Sequence, residues 1–397
     1  KWCTMDQNSF LEYENLCNAV FGNIGSGNTP QAREALERIS LSQDFVQKSE
    51  VIFANSKNMY ALMNAGTSLT KVMTDYWTSY SDDQKLQLRD FILEYLIKHG
   101  SDLPPYLVTC LSGLVCRITS LSWMTDQRQR NILNQMLDFT KSREHCVLAL
   151  QVLEELVNQI NPSKRSKMNE TKTAIQFRDS NLMNIIGLAF NMLADTYQAD
   201  DATVGTPELR MKLFQYSLQL LLRCLSFDCR MSGSEMTSDN LPVMLLPESW
   251  LASILTDDHM SLLFNIYRRC TSPITTLVLD VLLWMWSSPY MDSYSYGSGG
   301  STCEIAFNGI LSVLSDSYGL NDTDTVHVFC QLLDRIMNIS CIRRYVDPFV
   351  PQIVQLGLPF TQTILSQFMT YPNTLVYLLK FWVHIIFIQN RLGSSLY

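Results

Sequence analysis

Catalysis needs a nucleophile beside a base, a metal held by clustered donors, or a cradle for phosphate, so the residues able to supply these come first. Five histidines, His99, His145, His259, His327 and His384, stand apart, with no H-x-x-x-H pair and no cysteine at ligand spacing. The eleven cysteines (Cys3, Cys17, Cys110, Cys116, Cys146, Cys224, Cys229, Cys270, Cys303, Cys330, Cys341) contain no C-x-x-C and scatter through apolar runs, which reads as reduced, buried thiols. Adjacent acids at Glu154-Glu155 and Asp257-Asp258 invite an acid–base reading. Neighbours on a helix point to different faces, however, so both pairs are expected to be solvated charge. Gly297-Ser298-Gly299-Gly300-Ser301 follows no strand and lacks a closing Gly-Lys-Ser/Thr, and so reads as a flexible loop rather than a phosphate cradle. Trp284, Trp286, Phe381 and Trp382 read as filling between helices. These residues together point to a chain that binds and does not catalyse, without metal or cofactor of its own.

Composition says what could hold such a surface. The chain has 397 residues, 47 % hydrophobic and only 17 % charged, so most segments must bury a face. That length exceeds one ordinary core and suits a repeat array whose core grows along an axis. A net charge of -8, with few Lys/Arg clusters, argues against a nucleic-acid groove and favours a basic partner. No membrane span is expected: Leu375 to Ile388 is interrupted by Lys380 and His384, and Thr275 to Trp286 contains Asp280. The start at Lys1 and the stop beyond an apolar run suggest a piece of a longer protein, and the sequons at Asn169, Asn321 and Asn338 carry no meaning in a cytosolic chain.

Amphipathic helices recur in pairs. After Ser81, with Gln84 as capping-box partner, Leu88, Phe91, Ile92, Tyr95 and Leu96 form one stripe, opposite Asp90, Glu94 and Lys98. Thr29-Pro30, Thr206-Pro207 and Ser272-Pro273 each place a capping hydroxyl before a proline at the first helical position. The pairs fall near 9–40, 43–75, 83–121, 126–160, 177–228, 248–288, 302–344 and 346–393. Most steps approach the ~40–47 residues of HEAT or armadillo units. The expected fold is all-α, a solenoid of about eight HEAT-type helical hairpins forming a superhelical arch. Polar loops are expected near 161–176, 228–241 and 289–301, and Gly357-Leu358-Pro359 should break or kink the first helix of the last pair.

Several runs carry a resemblance. They are E-Y-E-N-L-C-N-A-V-F from Glu12, A-R-E-A-L-E-R-I from Ala32, T-S-L-T-K-V from Thr67, T-C-L-S-G-L-V-C-R-I-T-S-L-S-W from Thr109, F-R-D-S-N-L from Phe177, L-P-E-S-W from Leu246, P-I-T-T-L-V-L from Pro273 and V-Y-L-L-K-F-W from Val376. Ordered and similarly spaced, they make the chain similar to the importin-β-like nuclear transport receptors, in their exportin branch. The resemblance implies a Ran-binding set of repeats over 1–121, further repeats over 122–397, and a receptor two to three times longer. It implies Ran-GTP on the second, inner helices, protein cargo elsewhere on the concave surface, and Phe-Gly nucleoporins between first helices. GTP would be bound by Ran and not by this chain, and the receptor would shuttle between nucleus and cytoplasm. A non-transport HEAT scaffold, of adaptor or phosphatase-scaffold type, would share the same fold and charge.

On that reading the second helices divide into faces. Over Lys57 to Asp75, Leu62, Gly66, Leu69 and Met73 pack, and Asn64, Thr67, Ser68 and Lys71 project. On the next, Leu107, Cys110, Leu111, Leu114 and Ile118 pack, while Tyr106, Thr109 and Arg117 project. On the fourth, Val147, Leu150, Leu153 and Val157 pack, and Gln151, Glu155 and Asn158 project. The projecting residues are the expected Ran surface, with Lys71 and Arg117 placed to meet acidic groups and Glu155 a basic patch.

Overall fold

The computed structural model describes residues 5–22, 30–162, 168–200, 205–228, 241–297, 300–316, 319–320, 322–339, 342–367 and 369–394. Every regular element among them is helical, and the chain forms two compact units, Lys1–Ile160 and Asn161–Tyr397.

The first unit contains α1 (Gln7–Cys17), α2 (Pro30–Ser40), α3 (Phe45–Asn55), α4 (Met59–Asp75), α5 (Asp82–His99), α6 (Pro105–Ser122), α7 (Asn131–Phe139) and α8 (Cys146–Ile160). Sequence neighbours pair: α1 with α2, α3 with α4, α5 with α6, α7 with α8. The second members also stack on one another, α2 on α4, α4 on α6 and α6 on α8. Small residues allow this. At Gly66 of α4 a Cβ would lie 3.0 Å from Cys110 Sγ and 3.1 Å from a Leu111 methyl of α6, closer than such atoms normally approach.

The second unit contains α9 (Met168–Phe177), α10 (Met183–Gln198), α11 (Pro207–Leu225), α12 (Asp257–Arg269), α13 (Ile274–Met285), α14 (Gly300–Ser315), α15 (Thr323–Asn338), α16 (Val350–Ser366) and α17 (Leu375–Ser394). Two ladders run through it. The first helices α10, α12, α14 and α16 touch in succession, and so do the second helices α11, α13, α15 and α17. The inner members α13 and α15 are each wedged between a predecessor and a successor, which is why both are buried over most of their circumference.

Local signals explain several starts. Ser81 Oγ accepts from the Gln84 amide at 3.3 Å while Gln84 Oε1 accepts from the Ser81 amide at 2.9 Å, the reciprocal box expected. Thr206 Oγ1 accepts from the Leu209 amide, with Pro207 in the first turn. The third proline cap takes another form. Helix α13 begins at Ile274 with Pro273 itself in the cap position, and the Ser272 side chain instead hydrogen-bonds Asp322, the cap of α15. Thr29 lies outside the described residues.

Three other expectations are corrected. Within 161–176, Met168–Phe177 is helical and runs through a π turn, Arg178–Leu182, into α10. Burial of Thr173, Ala174 and Phe177 holds this polar-looking stretch in helix. In 289–301, Met291–Gly297 is helical and α14 already begins at Gly300. Of 228–241, residues 229–240 lie outside the described set. Finally, α16 continues through Pro359. The carbonyl deprived of its partner belongs to Gln355, which like Pro359 is exposed to solvent. Gly357 lets Trp382 of α17 approach, a Cβ there lying 3.2 Å from the indole, and Trp382 Nε1 donates to Thr361 Oγ1, which donates in turn to Gly357 O.

Asp280, on α13 of the second-helix ladder of this unit, is a poorly solvated acid. Burial raises the Asp280 carboxyl on α13 to about 6, helped by the negative charge of Asp324 on α15. The folded state therefore keeps a proton that the unfolded chain has already lost, so stability falls as pH rises from about 4 to about 6 and stays lowered above that. Asp280→Asn should raise the thermal midpoint by a few degrees at pH 7.5 and leave it unchanged near pH 4. Calorimetry at the two pH values checks this, and an equal gain at both would remove the ionisation argument.

Candidate interaction surface on the second helices

The sites of potential chemistry resolve into packing. Thr302 Oγ1 donates to Asp257 Oδ1 at 2.7 Å, tying α14 to the start of α12. His259 stacks on Phe190, ring centroids 3.6 Å apart, with Nδ1 at 3.0 Å from Ile254 O, and burial lowers its pKa. Cys17, Cys116, Cys224 and Cys330 are buried, and burial raises each thiol, Cys17 to about 12. Trp286 and Phe381 are core, and Trp284 and Trp382 half-buried. No group of three or more His, Cys, Asp or Glu among the described residues could hold a metal ion, and no helix among them is long and apolar enough to cross a membrane.

A surface of another kind lies in the first unit. Asn64, Thr67, Ser68 and Lys71, one helical face of α4, line a single cleft of about 360 Å³. Its opposite wall is α2, with Arg33 and Glu37 exposed over buried Leu36, and Val20 and Phe21 close one end. These last two sit in a π turn, Asn18–Gly22, that prolongs α1, and Phe21 stacks on Tyr60 with centroids 6.4 Å apart. The polar walls are held in place. Asn64 Nδ2 donates to the Tyr13 hydroxyl at 2.8 Å, whose own burial keeps it un-ionised far above neutral pH. Lys71 and Arg33 make no ion pair among the described residues, so both cations face solvent uncompensated. Ser68, expected to project, is 7 % exposed, because α4 is surrounded by α1, α2, α3 and α6 and buries a wider arc than one stripe.

The remaining expected residues lie further along the ladder and do not line this cleft. Tyr106 and Thr109 are exposed on the first turns of α6, Thr109 Oγ1 turned back to Pro105 O at 3.0 Å. Arg117 is half-buried on the same helix. On α8, Gln151 is half-buried and Glu155 accepts from Gln159 at 2.8 Å and Asn158 at 3.4 Å. The Glu155 carboxylate also lies beside Gly113, 3.8 Å from where a Cβ would stand, so it fills the seam between α6 and α8. Arg33, Glu37 and Phe21 were missing from the expected set. The i,i+4 spacing of Arg33 and Glu37 was visible, but that α2 would face α4 was not.

Residues 32–98, which run from α2 to α5 and include both helical walls of the cleft, match the importin-beta N-terminal domain. Along nearly its whole length the chain is similar to exportin-7-B of Xenopus laevis, 26 % identical over 382 residues that make up 94 % of this chain and 35 % of that protein. Ran-binding protein 17 of Homo sapiens is 25 % identical over 95 % of this chain and 35 % of its own length. Ran-binding protein 16 of Drosophila melanogaster is 24 % identical over 94 % and 35 %. The chain thus spans about a third of the length of the relatives it matches.

Proposed function

We propose that this chain, an exportin-7-like distant homologue carrying an importin-β N-terminal domain, is the Ran-facing part of a nuclear transport receptor and binds Ran in its GTP form through the second helices of its first unit. Exportins are transport receptors rather than enzymes. The observation that carries the reading is that both helical walls of the cleft, on α2 and α4, belong to the segment that matches the importin-beta N-terminal domain.

The physics of such a surface is differential. In a GTPase the γ-phosphate orders the switch loops, and a receptor touching those ordered loops gains affinity for one nucleotide state without any catalytic group. Uncompensated Lys71 and Arg33, beside Glu37 and the amide of Asn64, offer charge and hydrogen bonds to polar loops, and Phe21 and Tyr60 add an exposed aromatic edge. Stacked hairpins touch mainly their neighbours, so small rotations between them would add up when protein cargo and Ran bind together. Protein cargo and Phe-Gly nucleoporins complete the proposed partners, with traffic between nucleus and cytoplasm.

The test is capture of the chain by Ran loaded with a non-hydrolysable GTP analogue or with GDP. Preferential capture by the GTP form, by at least about tenfold, is expected if about 1.4 kcal/mol or more of contact depends on the ordered loops. Equal capture by both forms, or none by either, would leave a non-transport helical scaffold as the better reading.

A further inference from the structure

The first helices α3 and α5 close on one another through Phe53, whose ring meets Phe91 at 6.4 Å and Tyr95 at 5.1 Å between centroids. One to two turns nearer their starts they part around a cleft of about 160 Å³. Its floor is Val46, Tyr80 and Leu88, all buried, and Tyr80 is fixed by its hydroxyl, which donates to Gln43 O at 2.8 Å. Its walls are polar, formed by Gln47 and Glu50 of α3 and by Gln84 and Gln87 of α5. Much of their hydrogen-bonding capacity is unused. The Gln47 and Gln87 amides make no side-chain hydrogen bond among the described residues, and Gln84, whose oxygen is taken by the Ser81 amide, keeps its nitrogen to donate. The Glu50 carboxylate makes no ion pair among them either. Lys48 of α3 is engaged with Asp44 at 2.8 Å, and Lys85 of α5 with Asp82 at 3.3 Å and, 4.3 Å away, with the Trp77 ring. Glu50 is exposed at the rim, yet burial raises its carboxyl above the usual range, so its charge stands poorly solvated and uncompensated.

We propose that this cleft is a docking pocket for a single arginine side chain carried by a basic segment of a partner protein. Size, shape and charge agree. A cavity of about 150 Å³ holds one benzene ring, so this one takes one side chain and no folded segment. The stem of an arginine would lie on Val46 and Leu88 and its planar head on Tyr80, while its N–H fork would meet the Glu50 carboxylate and the amide oxygens of Gln47 and Gln87. The Gln84 nitrogen then suits a carbonyl of the segment that carries the arginine. Each wall group gains the partner it lacks. A phenyl ring would fill the same floor but strip water from one carboxylate and three amides without returning a hydrogen bond, which disfavours it. The net charge of -8 draws basic partners to the chain. This pocket shares no residue with the α2–α4 cleft, so the inference does not depend on Ran binding.

The probes are short capped Gly/Ser peptides that differ at one position, carrying arginine, its uncharged isostere citrulline, lysine, or a Phe-Gly pair. Each is titrated into the 397-residue chain, and its affinity is read from the broadening of the peptide's own NMR signals. The arginine peptide should bind at least about tenfold more tightly than the citrulline and Phe-Gly peptides, with lysine between, since a charge-assisted fork is the stronger contact. Glu50→Gln should weaken the arginine peptide by about tenfold. Glu94→Gln, which removes an equal charge from an exposed position of α5 that lines no part of the cleft, should leave it unchanged. Both positions are exposed, so neither substitution should disturb the fold, which calorimetry checks. Equal binding of the arginine peptide with the citrulline or the lysine peptide, or a preference for Phe-Gly, would overturn the proposal. So would equal losses in the two variants, which would mark diffuse attraction to the chain's negative charge, or binding of no peptide at millimolar concentration.

Discussion

Exchanging Arg89 for methionine is expected to destabilise the first unit by about 3–5 kcal/mol and to lower its thermal midpoint by on the order of 10 °C, the effect of taking one partner from a buried charged network. The guanidinium is 2 % exposed. Its Nη1 donates to Gln129 O at 2.9 Å and to Gln129 Oε1 at 3.0 Å, and its Nε donates to Asp90 Oδ1 at 2.9 Å. Gln129 is itself fully buried in the 3-10 turn Gln127–Arg130 that leads from α6 into α7. Arg128 in the same turn bridges Asp126 and Asp83, and the Arg128 guanidinium holds the Asp126 carboxyl below its usual range. Arg89 thus fastens a connection to α5 from inside. Methionine fills the volume but leaves the Gln129 amide oxygen without its donor, and an orphaned buried acceptor costs its full desolvation. Lysine keeps the charge without the fork and should fall between. Calorimetry, with hydrogen exchange over α5 and α7, reads the outcome. A midpoint within about 1 °C of the parent would mean that the network contributes little beyond packing.

This network shows what could be read from the sequence and what could not. Caps were legible because their partners lie three residues away, as at Ser81 with Gln84 and Thr206 with Leu209. The pairing of helices followed from apolar periodicity, and the buried positions Leu62, Gly66, Leu69 and Met73 are where the stripe put them. Polarity misled at Met168–Phe177, where a helix of modest propensity is held by its continuation into α10. Local rules also misled at Pro359, whose cost is borne on the solvent side of α16. Four of the ten expected surface residues share one cleft because they share one face of α4. The opposite wall depends on how α2 turns back across α4, which no spacing within either helix records.

That cleft makes the second large prediction. Lys71→Glu, alone or with Arg33→Glu, is expected to weaken binding of GTP-form Ran by at least about tenfold, because reversing a cation in a contact both removes an attraction and adds a repulsion. Both residues are exposed and unpaired among the described residues, so reversal should not disturb the fold, and the midpoint should stay within about 1 °C. Lys98→Glu, on the exposed side of first helix α5, serves as the control for net charge, since it changes the chain's charge equally but lies away from the cleft. If long-range steering alone were at work, Lys98→Glu and Lys71→Glu would weaken binding alike, and both effects would fade at high salt. A loss confined to the cleft variants and persisting at 0.5 M salt, where screening acts over only about 4–5 Å, marks a direct contact. Unchanged affinity in Lys71→Glu and Arg33→Glu, with GTP-form preference retained, would move the Ran surface off α2 and α4 and onto the exposed starts of α6, at Tyr106 and Thr109, which are the next residues to reverse or truncate.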